Sequence, residues 1–253
     1  MLPIARQNKI KDLLLFKKSV TVAELAKLYN VTEETIRRDL QAIENEGFLT
    51  RTYGGAYISE GISSTNSLNL QENSHSEGKE RIAEHCTRLI NDGDSIFLDA
   101  STTSLFVAQK IKDKALTIVT NSVKILTLLT GNENINLVMV GGNLNRSSMS
   151  FLGNVAESCI NGYFFDKAVI SCRCLSANHG VMDSDEQQSQ IRKIAVEHAN
   201  SNILVADHTK FNRVAFANIC SFDKIDTAVT DEYVSDEWAE LFQQNNIDYI
   251  EAV

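Results

Sequence analysis

The stretch Val20–Ala56, VTVAELAKLYNVTEETIRRDLQAIENEGFLTRTYGGA, decides how the first part of the chain folds. Val22, Leu25, Ala26 and Tyr29 recur at i, i+3, i+4 and i+7, which gathers them on one side of an α-helix. Thr21 and Glu24 make a capping-box pair at its start, hydroxyl and carboxylate each satisfying a backbone N–H that the first turn leaves open. After only Asn30 and Val31, a second helical pattern begins at Thr32, its N-cap, and runs through Ile36, Leu40 and Ile43; Gly47 is placed to end it in a left-handed turn. Two short amphipathic helices joined so tightly read as a helix-turn-helix over about residues 20–39. Upstream, Ile10, Leu13 and Leu14 share a face of one more helix. Downstream, two β-prone runs flank a Gly54-Gly55 turn, a hairpin wing over about residues 48–57.

The outward face of the Thr32 helix carries the chemistry. Stepping about 100° per residue from Ile36 places Glu34, Arg38 and Gln41 opposite the apolar stripe, with Thr35 and Arg37 on its flanks. Arg suits guanine edges or phosphate, Gln suits adenine, and Thr suits a phosphate oxygen or a thymine methyl. On an arbitrary helix the same arginines would be solvated partners of nearby glutamates. A wing bearing Arg51 and Tyr53 beside them favours the groove-reading alternative.

Charge divides along the chain in the same way. The 253 residues hold 24 Lys and Arg against 33 Asp and Glu, a formal net charge of −9, which as an average argues against a polyanionic partner. Counted by segment, residues 1–57 carry nine basic and seven acidic side chains, net +2, so −11 falls on the rest. Between them lies a Ser- and Asn-rich run assigned as a linker, residues 58–77. With no long apolar run and an N-terminus interrupted by charge, the expectation is a cytoplasmic protein away from membranes. Five scattered cysteines, an odd number, read as reduced thiols; Cys172-x-Cys174 has no second ligand pair at a metal-site spacing, so neither metal nor cofactor is expected.

Residues 78–253 read as α/β. Apolar runs at 95–98, 116–120, 137–140, 168–171, 203–206, 227–230 and 249–252 alternate with helical patterns, the rhythm of a mainly parallel sheet. Ligands of such sheets sit outside the carboxyl ends of strands. There this sequence places Asp99, Ser101, Thr102 and Thr103, then Thr120, Asn121 and Ser122, then Gly141, Gly142 and Arg146. Hydroxyls and free N–H groups at helix starts suit a phosphate, although each loop alone is equally an ordinary capped turn. Asp207 and Lys210 close another strand, either as a ligand pair for a sugar hydroxyl and an anion or as a surface ion pair.

The motifs T-I-R-R-D-L and G-x-L-x-R-x-x-G-G-A resemble the winged helix-turn-helix of the DeoR family of bacterial transcriptional regulators, with Tyr53 where the family usually has His. The order L-D-A-S-T-T, T-N-S, G-G, F-L-G and A-D-x-T-K-F is similar to that family's effector-sensing domain, whose fold resembles ribose-phosphate isomerases and sugar-phosphate deaminases. The resemblance implies DNA contacts from Thr21, Thr32, Glu34, Thr35, Arg37, Arg38, Gln41, Arg51, Tyr53, Gly54 and Gly55. It also implies a phosphorylated sugar as effector and repression of carbohydrate-metabolism genes; because one winged helix buries little DNA, a homodimer or homotetramer on repeated half-sites is expected. Gly180, Glu186 and Lys193 match family positions, and Lys193 is read as an effector ligand. Ser101 and the run Ser171-Cys172-Arg173-Cys174 depart from the family's glycines, which puts Arg173 at the sugar end. An isomerase or deaminase with an N-terminal extension is the alternative; it needs a base among Asp99, Asp207 and Glu186 and leaves residues 1–57 without a purpose.

Overall fold

The computed structural model describes residues 2–17, 19–45, 48–57 and 75–252. The chain divides into two units, Met1–Ser74 and His75–Val253. Gly47 and residues 58–74 of the assigned linker lie outside the described residues; of the linker's last three, Ser76 and Glu77 already belong to a helix.

In the first unit, α1 (Pro3–Lys17), α2 (Val22–Tyr29) and α3 (Glu33–Asn45) enclose a core of Ile10, Leu14, Val22, Leu25, Ile36, Leu40 and Ile43. Helix α2 ends at Asn30, whose left-handed backbone (φ 51°) is a conformation its short polar side chain tolerates. The wing pairs β2 (Thr50–Thr52) with β3 (Gly55–Tyr57), and Thr52 faces Gly55. The turn is therefore Tyr53-Gly54 and not the expected Gly54-Gly55. Gly55 is claimed by a strand that the sequence reading missed: β1 (Ser19–Thr21) pairs with β3, and a Cβ on Gly55 would stand 2.1 Å from the Val20 carbonyl oxygen. Three residues are too few to show a periodicity, so only the pairing reveals β1. One polar contact ties α1 to α3. Buried Asp39 accepts from Arg6 Nε (2.5 Å) and Nη2 (3.3 Å) and from Gln7 Nε2 (3.1 Å).

The second unit is built on a seven-stranded parallel sheet in the order β15-β14-β12-β9-β4-β5-β6, taking β4 as Ser95–Leu98, β5 as Leu116–Thr120, β6 as Ile135–Met139, β9 as Phe165–Ile170, β12 as Ala199–Val205, β14 as Thr227–Thr230 and β15 as Asp248–Glu251. The α/β reading holds, with four of the seven expected strands beginning one to four residues earlier than expected. Because strand side chains alternate, Phe97, Ala168, Ile170 and Leu204 enter one core and Ile96, Leu98, Val169, Ile203 and Val205 the other. Helices α4 (Ser76–Arg88), α5 (Thr102–Lys110) and α6 (Val123–Leu129) supply Ile82, Val107 and Ile125 to the second core. Helices α7 (Asn154–Ile160), α8 (Glu186–Glu197) and α9 (Asp236–Gln244) supply Ile160, Ile191 and Phe242 to the first.

Two additions to this sheet were not legible beforehand. One is a hairpin of β7 (Asn143–Asn145) and β8 (Ser150–Leu152); the other is a small antiparallel sheet of β10 (Cys174–Ser176), β11 (Gly180–Asp183) and β13 (Ala217–Cys220). Among the described residues no helix is long and apolar enough to cross a membrane.

Candidate functional site

Helix α3 presents an exposed ridge. Thr32 Oγ1 accepts from the Thr35 N–H at 3.3 Å, and Glu33 and Glu34 in the first turn complement the positive helix end. With Ile36, Leu40 and Ile43 buried, Arg38 projects outward with 81% of its side chain exposed. Both arginines are held by glutamates of their own helix, Arg37 to Glu33 at 2.6 Å and Arg38 to Glu34 at 3.5 Å. Exposed pairs of this kind contribute only about 0–1 kcal/mol, so exchanging a carboxylate for a phosphate or a base edge is inexpensive.

The wing is fastened to the same helix. Glu44 accepts from Arg51 N (2.9 Å) and Nε (2.8 Å) and from Gln41 (3.3 Å); the Arg51 backbone bond above all holds the Glu44 carboxyl below the usual range. Gln41 also donates to Asn45 at 3.0 Å. Tyr53, fully exposed, tips the hairpin beside Gly54. Thr21, Thr32 and Thr35 are less available than the sequence implied. Thr21 Oγ1 caps α2 through the Glu24 N–H (3.1 Å), and the other two hydroxyls bond each other at 2.9 Å.

In the second unit the loops leaving β4, β5 and β9 are joined through hydrogen bonds. Asp99, 1% exposed, accepts four bonds: Ser101 N (3.2 Å) and Ser104 Oγ (2.5 Å) on one oxygen, Ser171 N (3.1 Å) and Arg192 Nε (2.5 Å) on the other. The expectation that Asp99 meets the ligand is thereby corrected: its acceptor capacity is taken, and it positions the loops of β4 and β9. Ser101 caps α5 through Ser104 N at 3.0 Å, Thr102 is half-buried and Thr103 is buried. Thr120 donates to Leu98 O (2.7 Å) and accepts from Ser122 N (3.1 Å), stitching the β5 loop to β4, while Ser122 caps α6. Asn121 is fully buried; its Nδ2 donates to Phe151 O at 3.2 Å, and its Oδ1 has no partner among the described residues. Beyond β6, Gly142 needs its lack of a side chain, with φ +132° and a Cβ that would stand 2.7 Å from Leu152 O; Gly141 has open space around it.

Two sequence-chosen residues stand elsewhere. Arg146 is exposed in the turn of the β7–β8 hairpin. Lys193 is exposed on α8, because Gln188 and Arg192, four residues apart, occupy the buried face and a neighbour one residue on is turned about 100° away. Arg192 is the basic residue that enters the network, bonded to Asp99 and, through Nη1 at 2.5 Å, to Asp183. Its place in the stripe of Ile191 and Ala195 was the missed signal. Lys79 was missed likewise: buried on α4, three residues before Ile82, it adds to the field on Asp207.

Asp207 is 2% exposed and caps a short 3₁₀ turn, His208–Lys210. Burial opposes its charge, but Lys210 at 3.7 Å, the Thr209 hydroxyl and Lys79 hold its carboxyl far below the usual range. His208 is raised by its Nδ1 bond to Asp231 at 2.9 Å, against burial. Burial keeps the Cys172 and Cys174 thiols neutral, as it does Cys220, pushed up to about 12. His208, Asp231 and Glu232 are the group among the described residues with ligand atoms within 4.8 Å, yet buried Asp231 already accepts from both the His208 N–H (2.7 Å) and its ring.

A helix-turn-helix with a wing, joined to a parallel α/β domain with polar strand-end loops, defines a two-domain DNA-binding regulator. Comparison with known proteins narrows the class. Residues 6–61 match the DeoR-like helix-turn-helix domain and residues 74–232 the DeoR C terminal sensor domain. The chain is 36% identical over 231 residues to the uncharacterized HTH-type transcriptional regulator YulB of Bacillus subtilis, covering 91% of this chain and 90% of that one. It is 31% identical over 243 residues to the lactose phosphotransferase system repressor of Lactococcus lactis, covering 94% and 95%. Among solved structures, ribose 5-phosphate isomerase A of Methanocaldococcus jannaschii aligns with a TM-score of 0.40 and 16% identity over 55% of each chain. The chain belongs to the DeoR family of transcriptional regulators and is a regulator, not an isomerase or deaminase.

Proposed function

We propose that this protein represses carbohydrate-metabolism genes by binding operator DNA as a homodimer or homotetramer, and that a phosphorylated sugar controls it. The observation that carries the proposal is the joining of the β4, β5 and β9 loops through Asp99 and Thr120, beside the starts of α5 and α6. Backbone N–H groups, hydroxyls and helix dipoles there favour a phosphate. In this reading Ser101, Thr102, Thr103, Asn121, Ser122, Gly141 and Gly142 surround the phosphate, and Lys210 and Asp207 meet the sugar. On the DNA side, Thr35, Arg37, Arg38 and Gln41 address the major groove, and Arg51, Tyr53, Gly54 and Gly55 follow the backbone. A net charge of +2 over residues 1–57 gives weak non-specific affinity, so paired recognition helices are needed.

The test is a mobility shift on DNA upstream of the chain's own gene, at stated salt, with a thermal-shift panel of phosphorylated sugars and their unphosphorylated parents. A true effector at about a hundred times its Kd raises stability by roughly 2.7 kcal/mol. Arg38→Ala binding DNA as tightly as the parent protein refutes the assigned face. A panel without a shift refutes the effector class.

A further inference from the structure

The side chains on the outward side of α3 are not equally placed. At about 100° per residue, Glu34 and Arg38 lie about 20° either side of the line opposite buried Ile36, whereas Thr35 and Arg37 lie about 80° from it on the two flanks. A helix laid in the major groove turns its outermost line to the base edges and its flanks to the phosphates of either wall.

Nor are they equally engaged. Arg37 donates through Nη2 to Glu33 at 2.6 Å and faces Glu34 with Nη1 at 3.9 Å, so both tips of its fork meet carboxylates of its own helix. Gln41 donates through Nε2 to both Glu44 and Asn45, and the Thr35 hydroxyl is bonded to that of Thr32. Arg38 differs. It makes no hydrogen bond among the described residues, and its nearest acid, Glu34 one turn back, stands 3.5 Å from Nε. Contact through the inner nitrogen steadies the guanidinium and leaves the outer fork of Nη1 and Nη2 without a hydrogen bond.

The chemistry of that fork selects its partner. Guanine shows two acceptors, O6 and N7, in the major groove; adenine sets a donor, its N6 amine, beside N7, and a fork made only of donors cannot satisfy it. A planar guanidinium held in advance also loses less freedom for each bond it forms. We propose that base discrimination by α3 rests on Arg38, which reads a guanine, with Glu34 as its positioning residue, while Arg37 contributes charge without reading a base. This rests on the reading of α3 as the recognition helix.

The test is selection from a pool of randomised duplexes by the full chain at fixed salt, followed by titration of the enriched duplex and of copies changed one base pair at a time. The enriched motif holds a G·C pair whose replacement by A·T weakens binding about 5- to 150-fold, the weight of one bidentate base contact. Arg38→Ala brings that ratio close to one. Arg37→Ala weakens every duplex alike and keeps the ratio. Glu34→Ala lowers the ratio at an unchanged melting temperature, which a merely structural role would not do. These side chains are exposed, so the variants fold as the parent protein does. An enriched motif without such a pair, a ratio unchanged in Arg38→Ala or a ratio lost in Arg37→Ala overturns Arg38 as the reader and leaves α3 as the DNA-binding helix; a ratio unchanged in Glu34→Ala overturns the positioning role. Undiminished affinity for every duplex in both arginine variants overturns α3 as the recognition helix, and this proposal with it.

Discussion

Replacing Asp39 by Ala tests whether a buried ion pair holds the recognition helix in place. Arg6 and Asp39 are 6% and 3% exposed, and the carboxylate accepts two guanidinium bonds plus one from Gln7. Removing it strands a guanidinium and an amide between α1 and α3. The cost of breaking a buried pair from one side is about 3–5 kcal/mol. At about 0.05–0.15 kcal/mol per residue, the roughly 57 residues of this domain have about 3–9 kcal/mol in total. Asp39→Ala therefore brings the domain to the edge of unfolding while the second unit keeps its own two cores. Amide hydrogen exchange on the full chain reads this directly: α3 amides around Leu40 lose protection, amides of β9 and β12 keep theirs, and operator binding falls with α3. The double variant Arg6→Met with Asp39→Leu, which removes both charges, recovers most of the protection. Undiminished protection of α3 in Asp39→Ala would refute the argument that this pair fixes the helix.

Three further outcomes follow from the same geometry. Gly55→Ala forces β1 and β3 apart, because its Cβ meets the Val20 carbonyl; a destabilisation of about 1–3 kcal/mol or more and weakened DNA binding are expected by thermal unfolding and mobility shift. If Arg38 contacts a phosphate, Arg38→Ala lowers the slope of log K against log salt by about 0.9. His208 has a folded pKa above its ordinary 6.5 because of Asp231, so its contribution to stability is complete below pH 6.5 and is lost as pH rises through the raised value. The melting-temperature difference between the parent protein and His208→Gln should shrink over that rise, and a constant difference would show that the pair does not titrate there.

The sequence by itself determined the elements whose signal is local. Thr21 and Thr32 cap their helices, Ile36, Leu40 and Ile43 turn inward, and the sheet strands Ser95–Leu98, Leu116–Thr120 and Thr227–Thr230 occupy the residues their apolar runs marked. Periodicity and capping are properties of a few consecutive residues, so they are legible without neighbours.

Partnership across the chain was decided only by the tertiary structure. Asp39 lies 33 residues from Arg6, and Asp99 lies 93 from Arg192. Nothing within either local stretch distinguishes an acid that holds loops together from one that meets a ligand. Lys193 and Arg192 are adjacent in sequence, and one step of helical rotation sends the first to solvent and the second to Asp99. Gly55 was legible as a glycine a turn would use, yet β1 pressing on β3 is what requires it. Local chemistry wrote the elements, and the burial of charges between distant loops fixed which charged residues hold those loops together and which stay exposed.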